Sequence, residues 1–460
     1  MDVASDDNSM NSLKSDALDA PIPHAPWRLP ILGHSVQLFT DPLPFVEKLA
    51  QIGSLVRVDL GRLPMLLITD PDLTHQVLQD SRTFDKGGPL TDKMRELASN
   101  SLLTSRYDDH KVQRKLMQPA FSRTRIAGYA SEMNQAIDAV IGHWQEGDVV
   151  EITAACYEIA ARSASRTMFA ANVTGAATAS VVEDLTTYLG GLFIRLMVPS
   201  RLMRLLPTPA NVRYNGAMRR LHMTIDRMID AYRQSGVDHG DLLSMMLAAR
   251  DENGEPWTHK EIHEQVLTMF LAGIETTASV MGWTIYLISQ HPDFAERVAA
   301  QVIDTVGDAE PQADHFPKLS EIRCAVMETL RLYPPAWLST RVVTRETTLG
   351  KYRLRAGDAV AYSPYVLQRN PALFEAPERF APERWLPENA KSMSSRSFIP
   401  FGGGVFKCIG DQFGVMEVTL TLAKILSRWR LSPVTKDRVR PVPRRALLAP
   451  NKFEIRLAAR

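Results

Sequence analysis

Apolar residues recur at helical spacing along most of the chain, and alternate as in strands only over short stretches. The longest helical pattern opens at Thr258-His-Lys-Glu261, a capping box, and runs to Gln290 before His291-Pro292. At about 33 residues and roughly 50 Å, such a helix crosses a whole protein. In its middle Gly273, Glu275, Thr276 and Thr277 weaken the helix locally. Further helices are predicted from Asp70-Pro71 through Leu78, from Asp109 to Gln118 before Pro119, in succession over 130–235 apart from a loop around 198–209, and from Ser320 to Leu332 before Tyr333-Pro334-Pro335. A last one follows Cys408, with Ile409, Phe413, Met416, Leu420 and Ala423 at helical intervals. Leu55–Gly61 and Met65–Thr69 read as a β-hairpin, with further strands at Tyr352–Leu354 and 359–363. The stretch 84–104, with Gly87-Gly88-Pro89 and a Ser-Asn-Ser run, predicts an irregular, mobile loop enclosing a short helix. The apolar run Leu189–Val198 suits either core packing or the roof of a pocket.

Composition narrows the function classes more than the fold. The 460 residues are 45% hydrophobic and 23% charged, enough for a large core, and the formal net charge of +1 gives no excess that would attract nucleic acid. Length alone suggests two or three domains. Cys156, Cys324 and Cys408 lie far apart in apolar or glycine-rich surroundings, which argues against a disulfide framework and a cysteine zinc site and for a reducing compartment. Residues 1–20 are rich in Ser, Asp and Asn and read as a disordered tail, neither signal peptide nor membrane anchor. The prolines of 21–30 favour an extended arm. No run of about 18 apolar residues predicts a spanning helix, and no internal repeat divides the chain.

The candidate chemistry gathers near the C-terminus, where Phe401-Gly-Gly-Gly-Val-Phe-Lys-Cys408-Ile-Gly410 leads one thiol into a predicted helix. The glycines admit close approach of a flat group, and a helix N-terminus stabilises the thiolate that ligates metal. A buried structural cysteine is the plain alternative. Three more motifs stand in order with it: Glu328-x-x-Arg331, Phe380-Ala-Pro-Glu-Arg-Trp385 and Ala272-Gly-Ile-Glu-Thr-Thr277. Together they resemble the cytochrome P450 family of haem-thiolate monooxygenases, over residues 21 to 460, in the manner of its soluble bacterial members.

That resemblance implies one mainly α (α+β) domain over 21–460, with a long central helix and a small β-rich region. It implies haem b ligated by Cys408, with Phe401, Gly402 and Gly410 in the cofactor loop and His110, Arg114 and Arg341 reaching the propionates. It makes Thr276 and Glu275 the groups that hold dioxygen and feed protons, and joins Glu328, Arg331 and Arg384 in a buried network. The pocket it implies is lined by Leu90, Leu102, Leu103, Ala272, Trp337 and Leu338. Plain readings stand beside these: His110 and Arg114 as a solvated basic face, Glu328–Arg331 as a surface ion pair, the Thr276 hydroxyl bonded back to the carbonyl four residues earlier.

One position departs from the family. Phe406 stands where members carry an Arg or His that donates to a propionate, and Lys407 is the nearest substitute. The resemblance further implies a cytoplasmic monomer that inserts one atom of O2 into a hydrophobic small molecule, with electrons from NAD(P)H through ferredoxin reductase and ferredoxin docked on Lys111, Lys115, Arg123 and Lys407. The stretch Asp85-Lys-Gly-Gly-Pro89 is similar to that of actinobacterial members acting on terpenes, so a terpenoid or another secondary metabolite is expected as substrate. The alternatives are a haem-thiolate isomerase or dehydratase, against which Glu275-Thr276 argues, and a non-catalytic haem sensor.

Overall fold

The computed structural model describes residues 20–169, 206–250, 254–391, 396–442 and 447–460, with Ser394 and several positions between 180 and 191. The predicted N-terminal tail, the run Leu189–Val198 (Gly191 apart) and most of the loop at 198–209 lie outside these residues.

The helix His259–Ser289 is the axis of the fold. Thr258 and Glu261 close the predicted capping box, and His291-Pro292 starts the next helix, Pro292–Val306. Nearly every position from Ile262 to Ser289 is buried, except around Ala272, Gly273 and Thr276. A helix apolar all round needs neighbours all round. These are Ile152–Phe169, Asp411–Arg428, Ser320–Leu332 and Pro209–Ser235, which share with it one large core containing Ile137, Phe169, Trp283 and Leu426. Among the described residues it alone is long and apolar enough to cross a membrane, and it is enclosed by protein.

Beside the helices lies a five-stranded sheet in the spatial order Leu55–Leu60, Leu63–Ile68, Ala359–Tyr362, Ser339–Val343, Phe84–Lys86. The predicted hairpin forms with Leu55 opposite Ile68, and only Leu63–Ile68 and Ala359–Tyr362 run parallel. The proline-rich arm lies along the first strand, where Ala25 N–H and Arg57 N–H bond reciprocally across 2.8 Å to Arg57 O and Pro23 O. Three short strands, Val149–Glu151, Glu454–Ala459 and Trp429–Pro433, form a second sheet.

The stretch 84–104 is more regular than its composition suggests. Phe84–Lys86 pairs with Ser339–Val343, and Gly88–Ala98 is an eleven-residue helix. Gly87 permits the sharp entry: a Cβ there would stand 2.5 Å from Cγ1 of Val342. The partner strand is too remote in sequence for local pattern to reveal.

On Asp411–Arg428, Glu417 is buried at 1% exposure, and burial pushes its carboxyl up to about 8 despite the nearby Ser163 hydroxyl. The folded chain thus keeps a proton that the unfolded chain gives up from about pH 4.5, so this group costs stability as pH rises from there to about 8. Glu417→Gln is expected to leave the melting temperature at pH 5 nearly unchanged and to raise it at pH 8.5 by about 2 °C or more. Scanning calorimetry at both pH values measures the difference.

Candidate active site

The helix Ser320–Leu332 ends in a fully buried ion pair. Glu328 and Arg331, both at 0% exposure, meet through Nε–Oε2 at 2.9 Å and Nη2–Oε1 at 2.8 Å. Water solvates neither group, so the protein must satisfy every polar atom. Oε1 of Glu328 also accepts from Ala381 N–H at 2.9 Å and lies 3.5 Å from Nε of Arg384, while Oε2 accepts from Nε1 of Trp385 at 2.9 Å. Arg331 spends its remaining donors on the carbonyls of Gln368, Pro377 and Arg379, at 2.8, 2.7 and 3.1 Å. The surface-pair reading fails, and the three predicted members do meet.

Two members escaped sequence reasoning. Trp385 was seen only as part of a motif. Gln368, also 0% exposed, donates from Nε2 to the carbonyls of Leu330 and Arg331 and accepts from Ile399 N–H at 3.0 Å. It ties the helix end to the segment entering the glycine loop.

In that loop Cys408 N–H donates to Phe401 O at 2.9 Å and Gly402 N–H to Ile399 O at 3.0 Å. Gly404, at φ +62°, is irreplaceable by geometry, since a Cβ would stand 1.9 Å from the carbonyl oxygen of Leu78. Arg114 donates to the carbonyl of Lys407, and Nζ of Lys407 pairs with Asp411 at 2.7 Å, so this lysine is already committed elsewhere than to the Phe406 position. The following helix begins at Asp411 with Gly410 as its N-cap, three residues beyond Cys408. The cysteine therefore stands just outside the helix terminus.

Cys156 and Cys324 are buried, and burial pushes both thiols up, Cys324 to about 11. Cys408 is the exposed one. Protein atoms crowding its sulfur still push the thiol above its ordinary value, against the Gly410 N–H, so the expected lowering by the helix end does not prevail.

On the central helix, Thr276 Oγ1 donates to the Ala272 carbonyl at 2.5 Å, the plain alternative foreseen for it. Glu275 is buried, with Tyr157 Oη donating to its Oε1 at 3.3 Å. Of the expected pocket residues, Leu90, Leu103 and Ala272 keep part of their surface open. Leu102 is buried in the helical core, Trp337 in a small core with Phe45, Val56 and Leu448, and Leu338 packs on that same core.

Phe406 lies at the centre of a cluster of cations. Its ring meets that of His110 edge-on at 4.8 Å, with the Lys86 ammonium 4.9 Å and the Arg341 guanidinium 5.1 Å from its centroid. Lys86 and Arg341 are both buried and are directly opposite in the strand pair, an arrangement that repels. Their side chains donate to neutral oxygens, Lys86 to Leu102 O and Arg341 to Thr340 O and Tyr362 Oη. Burial, then Arg341, pushes the Lys86 ammonium well below its ordinary value. Burial, then Lys86, Arg114 and Arg341, pushes His110 down to about 3, and its buried Nδ1 has no hydrogen-bond partner. Such a cluster is completed by an anion.

The family profile described as Cytochrome P450 matches residues 23–457. The chain is a cytochrome P450. It is 41% identical to cyclooctatin synthase of Streptomyces melanosporofaciens over 92% of this chain and 93% of that one. It is 39% identical to pentalenene oxygenase of Streptomyces avermitilis, covering 95% and 97%. The crystal structure of the cytochrome P450DA haem domain superposes with a TM-score of 0.86 at 27% identity, over 96% of this chain and 98% of that one. This P450 is accordingly a monooxygenase, and haem and dioxygen come with the family. Its residues fit haem: an exposed thiol, a glycine loop closed against Leu78, and a cation cluster suited to carboxylates.

Arg331→Met is expected to cost this P450 about 3 to 5 kcal/mol by taking from buried Glu328 its bidentate partner. Glu328→Leu/Arg331→Met should cost less than the two single changes added together. Urea midpoints of the three variants measure both effects.

Proposed function

We propose that this P450 hydroxylates a terpenoid or similar hydrophobic secondary metabolite, with Cys408 as the axial thiolate of haem b and electrons from NAD(P)H delivered through ferredoxin reductase and ferredoxin. The observation that carries the assignment of Cys408 is its exposure within a loop whose ends are both fixed, by the Glu328 network and by Arg114. The substrate class rests on the relatives, since pentalenene oxygenase and cyclooctat-9-en-7-ol 5-monooxygenase, the latter 41% identical over 89% of this chain, name an alkene and an alkenol. The protein is taken to act as a cytoplasmic monomer.

Thiolate-ligated haem supplies activation of dioxygen and insertion of one oxygen atom into a C–H bond. The chain's own residues bind, position and move protons. Cys408 offers a sulfur whose crowded surroundings favour the thiol until a metal replaces its proton. His110, Arg114 and Arg341 are assigned to the propionates, and Lys86, absent from the family-based expectation, joins them where Phe406 cannot donate. Thr276, whose hydroxyl is held by Ala272 O, directs a proton when that hydroxyl turns, and buried Glu275 resupplies it.

Ferredoxin docks, on this reading, at the shallow groove of about 580 Å³ lined by Lys111, Arg114, Lys115 and Val405, next to exposed Arg123. Lys407 contributes less than expected because Asp411 partly neutralises it. The isomerase or dehydratase alternative needs no reductant and leaves the Glu275-Thr276 pair without a task.

The deciding experiment is reconstitution with ferredoxin, its reductase and NADPH on a panel of cyclic terpenes, beside the reduced carbon-monoxide difference spectrum. Product that depends on reductant, a thiolate-type Soret band lost in Cys408→Ser alone among the cysteine variants, and a severalfold fall in product per NADPH in Thr276→Ala are expected. Product without reductant overturns the monooxygenase assignment for that substrate, and a normal band in Cys408→Ser overturns the ligand.

Haem retention tests the cation cluster separately. A charge-assisted hydrogen bond contributes about 1.5 to 3 kcal/mol, so Lys86→Met and Arg341→Ala should each weaken haem binding about 10- to 100-fold. Haem transfer to apomyoglobin measures the loss, and unchanged transfer in Lys86→Met would remove that lysine from the propionate set.

A further inference from the structure

The first two turns of the central helix carry His259 and His263, four residues apart and so on one face. The facing helix Pro209–Ser235 presents His222 and Asp226, also four apart. The two pairs meet: Oδ1 of Asp226 lies 2.9 Å from Nε2 of His259 and 2.6 Å from Nδ1 of His263. One ligand atom from each of these three residues can be chosen so that all lie within 4.8 Å of one another. We propose that His259, His263 and Asp226 bind a divalent transition-metal ion of the Zn²⁺ class, clamping Pro209–Ser235 to the N-terminal end of the central helix.

The outer nitrogens support this arrangement. Nε2 of His263 lies 2.6 Å from Nδ1 of His222. A proton on Nε2 of His263 donated to His222 leaves Nδ1 of His263 for the metal. That is how ligating histidines are oriented elsewhere, by a partner on the other ring nitrogen. Nδ1 of His259 lies 3.9 Å from Oδ1 of Asp230 and 3.3 Å from Nη1 of Arg233. When Nε2 takes the metal, the ring proton moves to Nδ1 and faces Asp230, and Arg233 swings away into solvent.

Metal–ligand distances of about 2.0–2.1 Å set tetrahedral ligand atoms about 3.3 Å apart, so Oδ1 of Asp226 withdraws about 0.4 Å from His259 and about 0.7 Å from His263, while the two ring nitrogens, within 4.8 Å of one another, settle at the same spacing. The Asp226 and His259 side chains are 47% and 37% exposed, which leaves the fourth position open to water. Two imidazoles and one carboxylate suit Zn²⁺, and with it Ni²⁺ or Cu²⁺, whereas Mg²⁺ and Ca²⁺ prefer oxygen throughout. His263 stands thirteen residues before Thr276, roughly 20 Å along the helix, too far to touch the chemistry there. The ion would act on the hold between the two helices.

Tag-free holoenzyme equilibrated with Zn²⁺ and then freed of excess metal is expected to carry one zinc per haem iron by elemental analysis. Zn²⁺ should raise its melting temperature and Mg²⁺ should not. His259→Gln and Asp226→Asn, at partly exposed positions that endanger folding least, should weaken zinc binding more than about 100-fold, and His222→Phe about 10-fold by releasing the His263 ring. Haem content and the carbon-monoxide spectrum should stay at wild-type level in all three, showing that each variant is folded. No zinc on the wild type, or wild-type uptake in His259→Gln and Asp226→Asn, overturns the site and marks any bound zinc as adventitious.

Discussion

The site depends first on a carboxylate that water cannot reach. Glu328 is held at the end of a helix whose other faces pack in the core, so its surroundings must come to it. Besides Arg331, each group that does so belongs to a later piece of chain: the donors Ala381 N–H and Trp385 Nε1, and the Arg384 guanidinium as an ion pair at 3.5 Å. Arg331 completes the set and gathers the carbonyls of 368, 377 and 379. A segment with little regular structure of its own is thereby fixed by polar satisfaction, and Gln368 extends the fixation to Ile399, two residues before Phe401. The glycine loop inherits its position from that chain of bonds. Gly404 then brings it against Leu78, closer than any side chain would allow. The ion pair is thus better regarded as a positional device than as a source of net stability, since pairing a buried charge mainly offsets its desolvation.

What the sequence revealed was whatever one segment decides alone. The central helix was bounded by a capping box and a proline, and both ends formed within a residue of expectation. The helix at Pro71–Gln79 starts where Asp70 accepts from the N–H groups of Asp72 and Leu73, again a local signal. Phe84–Lys86 was invisible for the opposite reason, because its partner strand Ser339–Val343 lies far along the chain and three residues carry no period. The pocket role of Trp337 is what the family resemblance implies. Its ring packs in the small core with Phe45 and Leu448, two residues before the strand Ser339–Val343, and its carbonyl accepts from Ser363 Oγ at 2.6 Å.

The histidines at 222, 259 and 263 show the same limit from another side. Each pair is regular on its own helix, and i, i+4 spacing alone describes a solvated face as well as a ligand set. Only the packing of Pro209–Ser235 on the central helix turns two ordinary pairs into one cluster. Attention to cysteine spacing excluded one kind of zinc site and said nothing about this one.

Phe406 shows how a departure from a family pattern is absorbed. Removing a cation from that position would be expected to leave a gap, but the ring is bordered by Lys86, Arg341 and His110. The strand register sets Lys86 against Arg341, and like charges directly opposite, both buried, destabilise a sheet unless an anion lies between them. A third cation at position 406 would deepen that repulsion, whereas an aromatic ring offers each positive charge the negative face of its π system. The apolar residue in the cysteine loop and the buried lysine in the remote strand are therefore two halves of one solution. Cross-strand pairing holds Lys86 and Arg341 more rigidly than a glycine-rich turn would, and the Phe406 ring lies against both.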